Sequence, residues 1–438
     1  MSKKIQAYKI TTLTGVALVV ANMIGTGAFT SLGFQLKDLN NPTIILILWV
    51  LGGLIALSGA FSYAEIGTHI QRSGGEYAFL TKLFHPLVGY LSGWISITVG
   101  FAAPIALSAM AFVAYFPYFN LNPKWTSIIL LAVITGIHTK NLSLSSKFQN
   151  ISTFLKIAII VALIGIGVWQ EPTFNSIEFL SNSDYSNLIS PAFAVALIYV
   201  SYSYSGWNAA AYITEEFKNP KKSLPIALIG GTLIVTVLYT LLQYVFLKHV
   251  PIPELKGELN VGTIAMTKMM GQDYGRWFGL AISLLLVSGI SAMVWVGSRV
   301  TSSLAKDHKF WNYFKTENNN IPQRALWLQF GISALLILTG TFEQILIYCG
   351  ILLTISSMAT VIGVFKLRKQ YKNIKTDRFK SPLFPLFQIL FVILSLWMIA
   401  YAFINSPFEV FIGFGNIIVG FLTYWWSNTL NKNHLKLK

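Results

Sequence analysis

The sequence predicts an all-α integral membrane protein with twelve transmembrane helices. Of its 438 residues, 54% are hydrophobic and only 11% are charged, which is typical of membrane-embedded chains and not of soluble domains. The apolar residues form long runs, most of which reach the roughly 20 residues needed to cross a bilayer core. Two of the runs contain glycines near their centres, so two of the predicted helices are expected to be interrupted.

Twelve apolar runs follow one another along the chain, and the fourth and ninth are the shortest. The runs cover residues 12–32, 43–66, 86–116, 125–137, 151–169, 188–213, 224–247, 277–300, 325–340, 342–364, 383–403 and 408–426. Apart from the two short runs, each is long enough for one transmembrane helix.

The first run is interrupted by Ile24, Gly25, Thr26, Gly27 and Ala28. Each glycine lowers helix propensity by about 1 kcal/mol relative to alanine. Backbone freed from helical pairing cannot face lipid, so it must be buried in protein or line a wet cavity. The segment therefore predicts an unwound stretch at the middle of the membrane, where a ligand can bind. The alternative is that the glycines only allow close helix packing.

The sixth run has a similar interruption at Tyr202, Ser203, Ser205, Gly206 and Trp207. Paired interrupted spans in corresponding positions of two halves indicate the binding site of a secondary transporter. Close helix packing remains the alternative here too.

Residues 12–169 and 188–364 form two halves of similar length. Each half contains five runs, opens with an interrupted run and has its shortest run fourth. Because five is odd, the second half must be inverted relative to the first, which is the plan of alternating-access transporters. The runs within 383–426 are two additional helices, and residues 1–438 are interpreted as a single membrane transporter domain.

The net charge of +16 is explained by topology. With the N-terminus in the cytoplasm, 25 of the 32 basic residues fall on the inner side, among them Lys3, Lys4 and Lys9. This positive-inside pattern predicts a multi-pass protein of the plasma (inner) membrane with both termini cytoplasmic. A nucleic-acid partner is not needed to explain the charge, and the basic stretch 366–380 is interpreted as a topology determinant in preference to a lipid site.

Several motifs occur in an order that resembles the amino acid-polyamine-organocation (APC) superfamily. They are the two glycine interruptions, R-S-G-G-E-Y at 72–77, T-E-E-F-K-N-P-K-K-S-L-P at 214–225 and S-L-A-K-D at 303–307. The resemblance extends over about 12–364 and implies the leucine-transporter (LeuT-like) fold and amino acid transport.

The interruptions offer groups that suit a free amino acid. The helix that begins near Thr26 and Gly27 presents free amides and a positive dipole end to the substrate carboxylate, and the resemblance implies the same role. Carbonyls near Ala21 and Ile24 can accept from the ammonium. The predicted substrate-binding residues are Ile24, Gly25, Thr26, Gly27, Ala28, Tyr202, Ser203, Ser205, Gly206 and Trp207, with Tyr202 as the gating aromatic that the resemblance implies.

Lys156 is predicted to lie deep in the fifth span. It follows Lys147 by nine residues, or about 13 Å along a helix, and a lysine at this depth is a functional candidate, although its side chain can also snorkel to the interface. The resemblance implies that Lys156 takes the place of a sodium ion and reaches the first interruption near Gly25. Transport is then sodium-independent, by proton coupling or exchange; failing that, Ser288 and Ser291 are the candidate cation ligands.

The cargo is predicted to be a neutral L-amino acid, because the third, sixth and eighth spans contain no acidic residue at core depth. Neither a metal nor a cofactor is predicted. The sequence contains one cysteine, Cys349, which excludes an intramolecular disulfide. The loop at 117–124 has none, so a disulfide-linked ancillary subunit is not expected.

The sequence leaves two other functions open, and it also leaves open the role of three glutamates. A transport-incompetent sensor on the same scaffold fits the sequence. An intramembrane enzyme fits poorly, because the six histidines fall at span ends or in loops and there is no H-E-x-x-H motif. Glu65, Glu215 and Glu216 form either an inner gate with nearby basic residues or ordinary interfacial carboxylates.

Overall fold

The computed structural model describes residues 10–116, 122–140, 144–172, 185–316, 321–372 and 377–436, and the side chains of these residues apart from 144–150, 185–186 and 430–436. Lys3, Lys4 and Lys9, part of the loop at 117–124 and part of the basic stretch 366–380 lie outside the described residues, as does the side chain of Lys147. Within these ranges the regular elements are helices, and the only β-pairing is an isolated bridge between Ile10 and Phe217.

The first half of the chain contains eight α-helices and one π-helical turn at Ser96–Phe101. The α-helices are α1 (Thr12–Met23), α2 (Gly27–Gln35), α3 (Pro42–His69), α4 (Gly75–Leu83), α5 (Pro86–Ile95), α6 (Ala102–Tyr115), α7 (Pro123–Lys140) and α8 (Leu144–Trp169). The start of α3 illustrates the local code: the Asn41 side chain accepts hydrogen bonds from the Thr43 and Ile44 amides, and Pro42 occupies the first helical position.

The remaining residues form nine α-helices and three 3-10 helices, the latter at Tyr185–Ile189, Ala209–Glu216 and Lys309–Phe314. The α-helices are α9 (Pro191–Ser203), α10 (Pro220–His249), α11 (Ile252–Leu255), α12 (Val261–Met270), α13 (Gln272–Asp307), α14 (Gln323–Thr339), α15 (Phe342–Gln370), α16 (Leu386–Asn405) and α17 (Pro407–Lys436).

In the described parts of the chain, nine helical stretches are long and apolar enough to cross a membrane. The predicted runs at 125–137, 188–213 and 325–340 correspond to α7, α9 and α14, which are not among the nine. The structure therefore confirms that the chain is helical and has several candidate membrane spans.

The packing of the helices brings both interruptions to the centre of the protein. Helix α10 packs along α3 and α1, α2 packs against α9, and α13 packs against α6. Large apolar side chains cover the outer surface of α8, α16 and α17, including Phe154, Trp169 and Trp425. An apolar surface of this extent suits lipid and not water.

Candidate substrate-binding site

The first helix interruption leaves backbone amides unpaired. The Ile24 amide donates to the Val20 carbonyl at 3.0 Å and ends α1, and α2 starts with the Phe29 and Thr30 amides bonded to the Thr26 carbonyl at 3.0 and 3.1 Å. Between them, the amides of Thr26 and Gly27 donate to none of the residues that the structure describes, whereas the Gly25 amide faces the Tyr239 hydroxyl. A helix N-terminus with free amides attracts an anion.

The two interruptions contact each other directly. A Cβ atom on Gly27 would stand 2.6 Å from the Ser203 Cα atom, and one on Gly206 would stand 2.7 Å from the Asn22 carbonyl oxygen. Gly206 also has a φ of +98°, a conformation that side chains with a Cβ atom rarely adopt. Ser31 and Ser203 join the same region through hydroxyls 2.9 Å apart. These positions therefore require glycine for close packing.

Two side chains of α10 donate hydrogen bonds to backbone carbonyls at the first interruption. The Tyr239 hydroxyl donates to the Met23 carbonyl, and Gln243 Nε2 donates to the Ala28 carbonyl at 3.0 Å. Two carbonyls that flank the interruption are thus hydrogen-bonded within the protein, whereas its Thr26 and Gly27 amides are free to bind a ligand.

A cavity of about 510 Å³ lies at the interruptions. Eight of the ten predicted substrate-binding residues line it, and the other two, Ile24 and Ala28, are buried in the core beside it. The eight lining residues are Gly25, Thr26, Gly27, Tyr202, Ser203, Ser205, Gly206 and Trp207. The cavity continues along α1 to Thr14 and Ile10, towards the start of the chain.

The charges on the cavity wall are negative. Glu76 and Glu216 line it, and no lysine, arginine or histidine does among the described lining residues. The positive element available to a substrate carboxylate is therefore the N-terminal end of α2, with its free amides and helix dipole. A second carboxylate on the substrate would meet no basic side chain.

Two aromatic residues flank the second interruption in different ways. The Tyr202 hydroxyl lies 3.5 Å from the Thr26 hydroxyl, across the cavity from the first interruption. The Trp207 ring packs against Tyr63 with ring centroids 4.7 Å apart and lies against Gly59. Tyr202 is thus placed to cover a ligand, while much of the Trp207 ring is held by neighbouring side chains.

We expect Tyr202→Ala to weaken substrate affinity by about tenfold, because a buried ring that closes over the ligand is lost. The measurement is substrate affinity by thermal shift, together with the yield of folded protein. Trp397→Ala is the matched control, because Trp397 is an aromatic residue that does not line the cavity. Equal losses of affinity and yield in Tyr202→Ala would instead identify a packing residue.

Ion pairs join helices on both sides of the cavity. At the end of the cavity opposite Ile10, Lys37 pairs with Glu343 at 2.6 Å, and the Tyr199 hydroxyl donates to Glu343 at 2.7 Å. Towards the other end, both Glu65 oxygens accept from Arg368, at 2.8 and 2.9 Å. Of the three predicted inner-gate carboxylates, Glu65 is the one with a basic partner in the described residues.

Glu215 and Glu216 are exposed at the end of the 3-10 helix Ala209–Glu216 and contact the protein through their backbone. The Glu216 carbonyl accepts from the Ile10 amide at 2.8 Å, and the Glu215 amide donates to the Ser73 hydroxyl at 3.1 Å. Neither carboxylate forms an ion pair with a described residue. Their contribution to this end of the cavity is backbone pairing.

The three predicted coupling residues lie on α8 (Lys156) and α13 (Ser288 and Ser291), outside the cavity lining. A Cβ atom on Gly289 would stand 3.4 Å from Lys156 Nζ, so the ammonium lies against the backbone of α13. Ser288, the residue before Gly289 in the sequence, is buried. The Ser291 hydroxyl, however, is 2.8 Å from His138 Nε2. Lys156 has no hydrogen bond or ion pair to another described side chain.

Sequence reasoning missed two parts of the cavity wall. Glu76 belongs to the R-S-G-G-E-Y motif but lies in α4, a helix between two predicted spans. The prediction of a neutral cargo considered acidic residues of the spans alone, so Glu76 was not among them. The third span contributes its π-helical turn and Pro104 to the wall. A proline inside a predicted span was the available signal, because it removes a helical hydrogen bond.

Comparisons with known proteins identify the family of the chain. A family model described as amino acid permease matches residues 10–425. The chain belongs to the amino acid permease family. The resemblance to the APC superfamily is thereby confirmed, and because the family and the relatives below are transporters, the chain is a transporter and the intramembrane-enzyme alternative is wrong.

Three relatives illustrate the range of the family. The human "Cystine/glutamate transporter" is 26% identical over 442 residues, which cover 95% of this chain and 84% of the relative. The human "Asc-type amino acid transporter 1" is 25% identical and covers 95% and 82%. The mouse "b(0,+)-type amino acid transporter 1" is 27% identical and covers 90% and 82%. Amino acid transport is common to their names.

Proposed function

We propose that the protein carries a neutral L-amino acid across the plasma membrane by secondary active transport with alternating access. The observation that carries this proposal is the pair of unpaired amides at Thr26 and Gly27 on the cavity wall. They form a carboxylate site that needs no charged side chain, and every free amino acid has a carboxylate to place there.

The proposed fold is LeuT-like, with twelve spans and a five-plus-five inverted repeat in a single transporter domain. The proposal takes α7, α9 with the 3-10 helix after it, and α14 as the three spans beyond the nine long ones. The repeats are 12–169 and 188–364, and 383–426 adds two helices. The contact between the interruptions, at Gly27 with Ser203 and Gly206 with Asn22, supports unwinding at the repeat interface.

The charge of the wall supports a neutral cargo. A zwitterionic substrate leaves one ammonium after its carboxylate is bound, and carbonyls at the second interruption together with Glu76 make that region electronegative. A substrate with an acidic side chain would add a second negative charge to a wall that already contains two carboxylates. We therefore propose selection against glutamate, although one relative is named for it.

Coupling is proposed to depend on Lys156 and not on sodium. Its ammonium lies against α13 at Gly289 instead of reaching out to the interface, and it has no counter-ion among the described residues. We propose that its charge takes the place of a bound sodium ion, as the resemblance to the APC superfamily implies. The carrier would then work by proton coupling or by exchange.

The proposed orientation has both termini in the cytoplasm, and the distribution of the basic residues supports it. The cavity extension along α1 towards Ile10 then leads to the cytoplasmic side. Cys349 is buried inside α15. A disulfide to an ancillary subunit through this residue is accordingly not part of the proposal, and the only partners proposed are the substrate and the lipid bilayer.

Uptake into proteoliposomes tests the function. We expect saturable uptake of at least one radiolabelled neutral L-amino acid, competition by the unlabelled compound and little competition by glutamate. Protein-free liposomes are the control. Uptake restricted to cationic or acidic amino acids would refute the neutral cargo, and specific binding without uptake or counterflow would favour the sensor.

A further inference from the structure

Glu76 places a buried carboxylate on the wall of the cavity. Its residue is 4% exposed. Glu76 Oε1 accepts from the Tyr63 hydroxyl at 2.9 Å and from Asn208 Nδ2, and Oε2 accepts from the Tyr212 hydroxyl. The three donors come from α3 and from the segment after the second interruption, so one carboxylate joins three parts of the chain.

This carboxylate differs from the other buried or half-buried acidic groups near the cavity. Glu65 pairs with Arg368 and Glu343 pairs with Lys37, whereas Glu76 has no basic partner in the described parts of the chain. Its charge is supported only by neutral donors. Hydrogen bonds to a charged acceptor are stronger than bonds between neutral groups, so Asn208 and Tyr212 are held firmly towards it.

The segment that contains these donors has little support of its own. Residues 209–216 form a 3-10 helix, in which Ile213 has a non-helical backbone (φ −124°, ψ 30°). A 3-10 helix of this length is less stable than an α-helix because its hydrogen-bond geometry is poorer. Its position must therefore be set by contacts with other elements.

Helices α10 and α1 pack against this segment, and α4 with the residues just before it adds specific polar contacts. The Gly74 amide donates to the Tyr212 carbonyl at 3.1 Å, and the Ser73 hydroxyl accepts from the Glu215 amide at 3.1 Å. A Cβ atom on Gly75 would stand 2.8 Å from the Tyr212 ring, so the ring lies flush on the start of α4. Glu76 supplies the only charged acceptor in this set.

We propose that Glu76 is a positioning residue for the substrate site: through Asn208 and Tyr212 it holds the wall formed by the segment after the second interruption in its binding-competent shape. The inference rests on the proposed amino acid transport and adds a residue that the two interruptions do not include. Asn208 and Tyr212 line the cavity, while Tyr63, which bonds the same carboxylate, does not.

Tyr63 and Tyr212 provide a matched pair of variants. Tyr63→Phe and Tyr212→Phe each remove one hydroxyl from the same carboxylate and keep the ring. If Glu76 mattered only for stability, the two variants would have similar effects. A positioning role predicts that Tyr212→Phe raises KM about tenfold at nearly unchanged maximal rate, whereas Tyr63→Phe stays within about twofold of wild type in KM.

The test measures KM, maximal uptake rate and melting temperature for wild type, both tyrosine variants, Glu76→Gln and the double variant Glu76→Gln/Tyr212→Phe. We expect Glu76→Gln to raise KM at least as much as Tyr212→Phe, and the double variant to match Glu76→Gln, because both changes break the same contact. Tyr77→Phe is the local control, since its hydroxyl lies on the same loop helix but bonds Asp307.

Equal KM values for Tyr63→Phe and Tyr212→Phe, or additive effects in the double variant, would overturn the positioning role. A lower melting temperature with unchanged KM would do the same. A wild type that binds an amino acid without transporting it would refute only the transport proposal, since the dissociation constant then replaces KM in the same comparison. A wild type that does neither would refute both.

Discussion

Replacing Gly27 with alanine should abolish amino acid uptake while leaving the protein inserted in the membrane. The new methyl group would lie 2.5 to 2.7 Å from Ser203 atoms, including the backbone Cα, so one of the two interrupted helices must move. Overpacking of this kind costs about 1–3 kcal/mol. The displaced part is the helix start whose amides are proposed to hold the substrate carboxylate, so we expect at least a tenfold loss of affinity.

Uptake, substrate affinity and membrane yield of Gly27→Ala should be compared with those of Gly165→Ala. Gly165 lies in α8, where an added Cβ atom meets nothing within 4 Å, and alanine there is expected to be neutral or slightly stabilising. Gly206→Ala should resemble Gly27→Ala, because it adds backbone strain at a φ of +98° to a contact with Asn22. Wild-type affinity in both interruption variants would contradict the proposed site.

Replacing Lys156 with alanine should remove net uptake driven by a pH gradient. The ammonium lies against Gly289 of α13 without a counter-ion in the described part of the chain, and its charge is proposed to hold α8, α13 and the first interruption in one conformation. Loss of a coupling interaction typically changes the linked equilibrium by 5- to 150-fold, and we expect at least about a tenfold loss of net uptake.

Two controls separate charge from packing and from interfacial effects. Lys156→Met keeps most of the side-chain volume, so it should fail like Lys156→Ala if charge is what matters. Lys140→Ala removes a lysine at the end of α7 and should transport normally. Replacement of external sodium by choline should leave wild-type uptake unchanged. Wild-type transport by Lys156→Ala, or loss of wild-type transport in choline, would shift attention to Ser288, since Ser291 is bonded to His138.

The parts of the site that the sequence predicted are those encoded by backbone chemistry. Two glycines within a long apolar run are enough to predict an interrupted helix, because helix propensity and the cost of unpaired backbone in lipid are local properties. Gly25, Gly27, Ser203 and Gly206 all line the cavity as expected. The sequence predicted that the glycines at these positions make room for a ligand. The structure adds a second reason, which is that the two interruptions contact each other there.

The parts that the sequence did not predict depend on partners that are distant along the chain. Glu76 was passed over because it lies in a loop helix, and only folding brings that helix against residues 208–216. Similarly, Glu65 finds Arg368 some three hundred residues later, while Glu215 and Glu216 find no basic side chain in the described ranges. Trp207 lines the cavity, and its ring also packs against Tyr63, which lies far away in the sequence.

Composition and run length by themselves determined that this is a multi-span helical membrane protein, because hydrophobic burial and backbone pairing in a bilayer act on each segment separately. Tertiary structure alone decided which groups face the cavity. Its carboxylates, the α10 side chains that bind the first interruption and the hydroxyl that pairs Ser291 with His138 are selected by contacts between helices, and no single segment contains that information.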